Sequence, residues 1–101
     1  MSRYLLNILA SRDLNEIADY FESTNLEAGE RFFDEFNSKC KQLVAFLNSG
    51  KSYADISPNL RGLSFKNYII FYRVLDDSIE ILRVLSGRRN FPDFFQDPNL
   101  S

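Results

Sequence analysis

Two stretches in the first half of the chain carry apolar residues at helical spacing. The first set falls at i, i+3, i+4 and i+7 and consists of Leu14, Ile17, Ala18 and Phe21. With Ser11 as N-cap, it predicts an amphipathic helix that ends near Glu22. After residues 23–25, a longer stripe predicts a second helix that ends at residues 48–50; its members are Ala28, Phe32, Phe33, Phe36, Cys40, Leu43, Val44 and Leu47. The short connection predicts an antiparallel helical hairpin.

The second half of the chain changes to strand-like runs rich in Ile, Val, Leu, Phe and Tyr. Two-residue turns, Lys66-Asn67 and Asp76-Asp77, separate three such runs, which is typical of an antiparallel meander. The runs are Leu60–Phe65, Tyr68–Leu75 and Ser78–Leu85. The apolar run Arg3–Leu9 suits one more strand, and residues 51–59 read as a loop. We therefore predict an α+β fold of order β-α-α-β-β-β, with the helical hairpin packed on a small, mostly antiparallel sheet and a short C-terminal helical turn.

The two turns also fix a strand register. Phe65 faces Tyr68 and Leu75 faces Ser78, so that Arg73 meets Glu80, a favourable cross-strand pair. The same register sets Arg61 opposite Tyr72 opposite Ile81, and Ile70 opposite Arg83. The bulkier sheet face is expected under the helices; it carries Leu63, Phe65, Tyr68, Ile70, Tyr72, Val74, Ile79 and Ile81, together with Arg61 and Arg83. We expect these two arginines to form structural ion pairs with a helix carboxylate among Glu16, Asp19, Asp34 and Glu35.

The opposite sheet face keeps four apolar residues that the helices would leave uncovered. They are Ile69, Phe71, Leu82 and Val84. This face lies open unless the C-terminal segment or a partner covers it. An open apolar sheet face usually marks a binding site, so these residues are the candidate surface for a protein partner.

The segment after the last strand combines two arginines with three phenylalanines. Its members are Arg88, Arg89, Phe91, Phe94 and Phe95. One interpretation is a helical turn whose phenylalanines close the core beneath solvated arginines. The other is a cationic and aromatic surface that binds a target, since arginine and aromatic residues dominate binding hot spots.

Length, charge and composition narrow the chemistry. The 101 residues suffice for one domain, residues 1–101, and the formal net charge of −2 argues against a surface that binds nucleic acid throughout, although a local basic patch stays open. There is no His, and Cys40 is the only Cys, so that no cofactor or thiolate metal site is expected. Asp76-Asp77 reads as a turn, since a metal ion needs a third converging ligand. Cys40 is expected in the core. Without a membrane-length apolar run, we expect a cytoplasmic protein with no membrane partner.

These residues together resemble the RelE/ParE superfamily of bacterial type II toxins, most closely its ParE, or plasmid-stabilisation, branch. The resemblance extends over nearly the whole chain. The residues that carry it are Asp13-Leu14, Glu16-Ile17, Tyr20, Leu60-Arg61, Tyr68–Val74, Glu80–Leu85 and Gly87-Arg88-Arg89. Two positions depart from the branch, because Ser86 and Asn90 stand where its members commonly have His and Asp.

The resemblance implies a toxin with no cofactor that a small cognate antitoxin neutralises, for which Ile69, Phe71, Leu82 and Val84 are the expected contacts. RelE-like members cleave messenger RNA on the ribosome, whereas ParE-like members bind DNA gyrase. The positions of the RelE catalytic groups fall at residues 61–64, Ile69, Arg89 and Phe95, where only Arg61 and Arg89 keep suitable chemistry. We therefore expect a gyrase-binding inhibitor rather than an enzyme, with no sequence-specific nucleic-acid binding by the toxin alone. A ribosome-dependent nuclease and a non-toxic remnant of the fold are the alternatives.

Overall fold

The secondary structure of the chain, taken from a computed structural model, is described over residues 4–95. The predicted α+β fold and its element order are confirmed. The elements are β1 (Tyr4–Leu6), α1 (Ile8–Thr24), α2 (Leu26–Ala45), β2 (Lys51–Ser52), β3 (Arg61–Phe65), β4 (Tyr68–Val74), β5 (Ile79–Ser86) and a C-terminal 3-10 turn (Phe91–Phe94).

Asparagine side chains begin both helices. The Asn7 side chain accepts a hydrogen bond from the Leu9 N–H at 2.9 Å, so that α1 begins at Ile8 and the prediction of Ser11 as N-cap is wrong. This early start ends the first strand at Leu6 rather than at the expected Leu9. Asn25 caps α2 in the same way, through the Ala28 N–H at 3.1 Å.

The five strands form one sheet in the order β1-β5-β4-β3-β2, with β1 parallel to β5 and the other neighbours antiparallel. Two residues of the expected loop form the edge strand β2, because Lys51 and Ser52 pair with Gly62 and Arg61. The helical hairpin packs on one face of this sheet, as predicted.

A β-bulge interrupts the ladder between β4 and β5. The expected pairs Arg73 with Glu80 and Tyr72 with Ile81 are present, but Phe71 then pairs with Arg83, which leaves Leu82 as the additional residue of β5. The expected pairing of Ile70 with Arg83 is wrong. Ile70 faces Val84 instead.

The bulge redistributes side chains between the two sheet faces. Ile81 and Val84 both join the core beneath the helices, whereas Leu82 and Leu85 both join a second cluster on the opposite face. The four residues do not form an open face, because the alternative of a covering C-terminal segment applies: Val84 lies under the helices, and Ile69 packs at the margin of the second cluster. The loop before β3 and the C-terminal turn cover this face, with Phe71 and Leu82 buried; the covering residues are Tyr53, Ile56, Leu60, Phe91, Phe94 and Phe95.

Cys40 lies in the core beneath the helices, as expected. Burial raises the pKa of its thiol to about 12. The thiol therefore stays protonated at neutral pH, which suits a small packing residue rather than a nucleophile.

The buried Tyr72 hydroxyl joins the sheet to the end of α2. It donates to the Leu47 carbonyl at 3.0 Å and accepts from the Gly50 N–H at 2.9 Å. A β-carbon at position 50 would lie 2.6 Å from this hydroxyl, so the contact requires glycine. Arg61 donates to the Asn48 and Gly50 carbonyls at 2.9 and 2.7 Å, which corrects the expectation that it pairs with a helix carboxylate.

We expect Tyr72→Phe to lower the free energy of unfolding by about 2 kcal/mol, because a partly buried carbonyl and a buried N–H both lose their partner. Tyr4→Phe is the matched control, since it removes an exposed hydrogen bond to Asn37, and its cost should stay under about 0.5 kcal/mol. Urea denaturation measures both. Equal costs for the two variants would contradict the role given to Tyr72.

Candidate functional site

The two neighbouring arginines lie on a hydrogen-bonded turn after β5, which we call the arginine turn (residues 86–89). The Arg89 N–H donates to the Ser86 carbonyl at 3.1 Å, and the Gly87 N–H donates to the Asn67 carbonyl at 3.0 Å. The second bond joins this turn to the turn between β3 and β4. Arg88 and Arg89 are exposed, so that the sheet presents both guanidinium groups at one end.

The three phenylalanines that follow belong mainly to the core. Phe91 and Phe95 pack on the buried Phe71, with ring centroids 4.8 and 4.9 Å away, and Phe95 is itself buried. Phe94 is half-buried, and two guanidinium groups lie near its ring centroid, that of Arg83 at 5.1 Å and that of Arg89 at 5.7 Å. Phe91 and Phe95 thus follow the interpretation in which the phenylalanines close the core, since they pack in the second cluster, whereas Arg88 and Arg89 stay exposed.

Arg83 makes the ion pair that ties α1 to the bulge. Its guanidinium donates to both carboxylate oxygens of Asp13 at 2.8 Å, and the Val84 N–H donates to the same carboxylate at 3.0 Å. The hydrogen bond to Asp13 raises the pKa of Arg83 above its ordinary value. A helix carboxylate was the expected kind of partner, but Asp13 was not among the four expected residues. The Asp13 side chain reaches the bulge, and the strand register predicted from the sequence contained no bulge.

The two arginines that would serve a nuclease are not brought together. Arg61 pairs with Tyr72 at one end of the ladder between β3 and β4, whereas Arg89 follows the other end, where Tyr68 pairs with Ser86. The Arg61 guanidinium is also occupied by the backbone carbonyls at the end of α2. The Arg61 and Arg89 guanidinium groups therefore do not converge on one site where they could act on the same phosphate.

Two clefts flank the arginine turn. The first, of about 450 Å³, lies between α1 and the turn, and its lining includes Glu16, Tyr20, Tyr68 and Arg89. The second, of about 610 Å³, lies on the side of Lys66 and Arg88. The sequence had indicated Ile69, Val84, Phe94 and the arginines as candidate binding residues, but not Glu16, Tyr20 or Lys66, because only the tertiary fold brings α1 and the strand turns to this end.

A third recess, of about 330 Å³, lies between α1 and α2 and is mostly apolar. Phe21 and Phe33 line it, and Leu26 beside it is 64 % exposed. The helices approach closely at Gly29, where a β-carbon would lie 2.7 Å from that of Phe21. We call this recess the hairpin groove; it is lined by Ala18, Phe21, Glu22, Leu26, Gly29, Glu30 and Phe33.

The described part of the chain contains neither a cluster of metal ligands nor a helix that could span a membrane. Over residues 4–95, no three His, Cys, Asp or Glu side chains converge as metal ligands would. Neither α1 nor α2 has the length and apolar character that a membrane crossing requires.

The helical hairpin on a mixed sheet, followed by the Gly-Arg-Arg turn, defines a small toxin domain of the RelE/ParE type. A family model described as the ParE toxin of the type II toxin-antitoxin system parDE matches residues 4–91. The chain belongs to this family and is a ParE-type toxin of a type II toxin-antitoxin system, which confirms the resemblance seen in the sequence.

One relative agrees with this membership, and one solved structure agrees with the fold. Toxin ParE3 of Caulobacter vibrioides is 30 % identical over 91 residues, which cover 89 % of this chain and 91 % of the relative. A solved structure from the chromosomal ParDE toxin-antitoxin system of P. aeruginosa has the same fold, with a TM-score of 0.68 at 24 % identity. That match covers 85 % of this chain and 96 % of the other.

We expect Asp13→Asn to cost about 3 kcal/mol in unfolding free energy, because it keeps the shape but leaves Arg83 without its counter-charge. The two side chains are only 11 % and 15 % exposed. Glu35→Gln is the control, since it breaks the exposed ion pair with Lys66 and should cost less than about 1 kcal/mol. Chemical denaturation of the two variants side by side measures the difference, and an Asp13→Asn cost as small as the control's would contradict a stabilising ion pair.

Proposed function

We propose that this toxin inhibits DNA gyrase by direct binding, with the arginine turn as the central contact. The observation that carries the proposal is the exposed pair Arg88 and Arg89, held by backbone hydrogen bonds at the end of a rigid sheet. Arginines presented on a fixed support suit recognition, because little conformational freedom is lost on binding. Phe94 adds to this support beneath Arg89.

Two further features favour a binding function over RNA cleavage. Phe95 stands where a proton-transferring residue would be needed, and it is buried. Arg61 is engaged at the far end of the sheet. Inhibition by binding needs neither group.

Gyrase acts on the bacterial chromosome, so the proposal also places the toxin in the cytoplasm.

The test is inhibition of gyrase supercoiling of relaxed plasmid DNA by the purified toxin. We expect Arg88→Ala/Arg89→Ala to lose at least about tenfold in potency, since truncating binding hot spots costs on this scale. Arg12→Ala/Arg31→Ala is the matched control; it changes the charge equally, at exposed positions on α1 and α2, and should inhibit like the unmodified chain.

Two results would contradict the proposal. One is gyrase inhibition that the arginine-turn variant and the control lose equally. The other is an unmodified chain that leaves gyrase active but cuts messenger RNA on translating ribosomes, which would restore the nuclease alternative. A chain inactive in both assays would instead be the non-toxic remnant.

Neutralisation by a cognate antitoxin is the second part of the proposal, and we assign the contact to the hairpin groove. The sheet face first considered for this contact offers no exposed surface at Phe71, Leu82 or Val84. The groove, by contrast, is mostly apolar, includes the exposed Leu26 in its lining and lies next to the exposed Tyr20. Exposed apolar surface of this kind is typical of protein interfaces.

We expect Leu26→Glu to weaken antitoxin binding at least about tenfold, because it introduces a charge into a contact that excludes water. Phe46→Glu is the matched control: Phe46 is 65 % exposed, close to the 64 % of Leu26, but lies at the opposite end of α2. Titration calorimetry with the purified antitoxin measures both affinities, and circular dichroism checks the fold. Unchanged affinity in Leu26→Glu, or an equal loss in both variants, would show that the antitoxin does not bind at the groove.

A further inference from the structure

The cleft beside Arg88 is lined by hydrogen-bond donors and contains no carboxylate among its lining residues. Its polar residues are Ser64, Lys66, Asn67, Tyr68, Ser86 and Arg88. We call it the donor cleft. The composition stands out in a chain with 14 acidic residues and a net charge of −2. Such a lining suits an anionic ligand, which accepts hydrogen bonds and carries the opposite charge.

Two separate turns supply the two cations of the donor cleft. Lys66 belongs to the turn between β3 and β4, whereas Arg88 belongs to the arginine turn, and the Gly87 N–H to Asn67 carbonyl bond of 3.0 Å holds the two turns together. The Ser86 hydroxyl accepts from the Arg88 N–H at 3.4 Å, which fixes this serine beside the cations. The fold thus brings together two positive charges that are 22 positions apart in the sequence.

The two cations differ in how they are compensated. The Lys66 ammonium lies 2.6 Å from a carboxylate oxygen of Glu35, but both side chains are about half exposed, so that the pair is weak and another anion can replace it. Within residues 4–95, the Arg88 guanidinium makes no ion pair. The donor cleft therefore offers one free and one exchangeable positive charge.

We propose that the donor cleft binds the phosphate backbone of DNA without reading its sequence. Lysine, arginine, serine, asparagine and tyrosine side chains are the groups that commonly contact phosphate oxygens, and the donor cleft is built from these types. Hydroxyl and amide donors surround the cations. This number of donors matches the many oxygen acceptors of successive phosphates better than it matches the two oxygens of a single carboxylate. The inference goes beyond the proposed inhibition, because DNA binding by the purified toxin can be measured without gyrase.

The experiment is fluorescence anisotropy of a labelled mixed-sequence DNA duplex, titrated with the full chain at low salt and then at rising salt. We expect binding whose logarithmic salt slope is about −2, since two cations replace counterions at two phosphates. Lys66→Gln/Arg88→Gln should weaken binding at least about tenfold. Lys41→Gln/Lys51→Gln is the matched control, with the same charge change at exposed positions outside the donor cleft, and should keep most of the affinity.

Glu35→Gln is the sharper variant, because it should strengthen DNA binding by about threefold. The substitution frees Lys66 from its competing carboxylate and removes one negative charge nearby. Circular dichroism of each variant checks that the fold is kept. A gain of binding in a variant that keeps its circular dichroism spectrum is the opposite of what a lost cleft would give, so this variant tests the inference even if the double variant loses stability.

Four outcomes would overturn the inference. They are no DNA binding at low salt, equal losses in the donor-cleft and control variants, no gain in Glu35→Gln, and competition by poly-glutamate as effective as that by DNA. The last outcome would assign the cleft to an acidic protein segment. Supercoiling inhibition by Lys66→Gln, measured in parallel, separates this inference from the gyrase proposal: a chain that inhibits gyrase but binds no DNA refutes the donor cleft alone.

Discussion

The carboxylate of Asp13 is the interaction on which the arrangement of this molecule depends. It accepts two hydrogen bonds from Arg83 and one from the Val84 N–H, where the additional residue of β5 disturbs the ladder. A bulge leaves backbone groups without their regular partners, and these groups need compensation when water is excluded. One side chain of α1 supplies that compensation and also fixes the helix on the sheet.

The bulge determines which side chains lie on each face of the sheet, and therefore how much apolar surface on each face must be covered. Regular alternation would have put Leu82 and Val84 on one face, whereas the bulge puts Leu82 with Leu85 and returns Val84 to the helices. The second face thereby becomes a core that needs a cover. Phe91 and Phe95 provide it, and this packing fixes the segment that follows the arginine turn. The exposed cations thus depend on the same irregularity that buries the phenylalanines.

Periodicity predicted the helical hairpin, the meander and the pairing of Arg73 with Glu80, because each follows from local spacing and two-residue turns. It could not predict the bulge, since a strand with one additional residue has no distinctive residue type. It also placed the helix cap at Ser11 and left Asn7 in the first strand. The Asn7 N–H bonds to the Ile81 carbonyl of a distant strand, a contact that local spacing does not reveal. The candidate site was predicted in part: exposure of the arginines followed from charge, but whether neighbouring phenylalanines were core or surface depended on the face left uncovered.

The end of α1 lies between the two surfaces to which we assign partners. Tyr20 lines the cleft next to Arg89, whereas its neighbour Phe21 lines the hairpin groove. The two rings are in contact, with centroids 5.5 Å apart. A partner that fills the groove therefore lies one residue along α1 from the cationic end. The two surfaces to which we assign partners are therefore joined by one aromatic contact on α1.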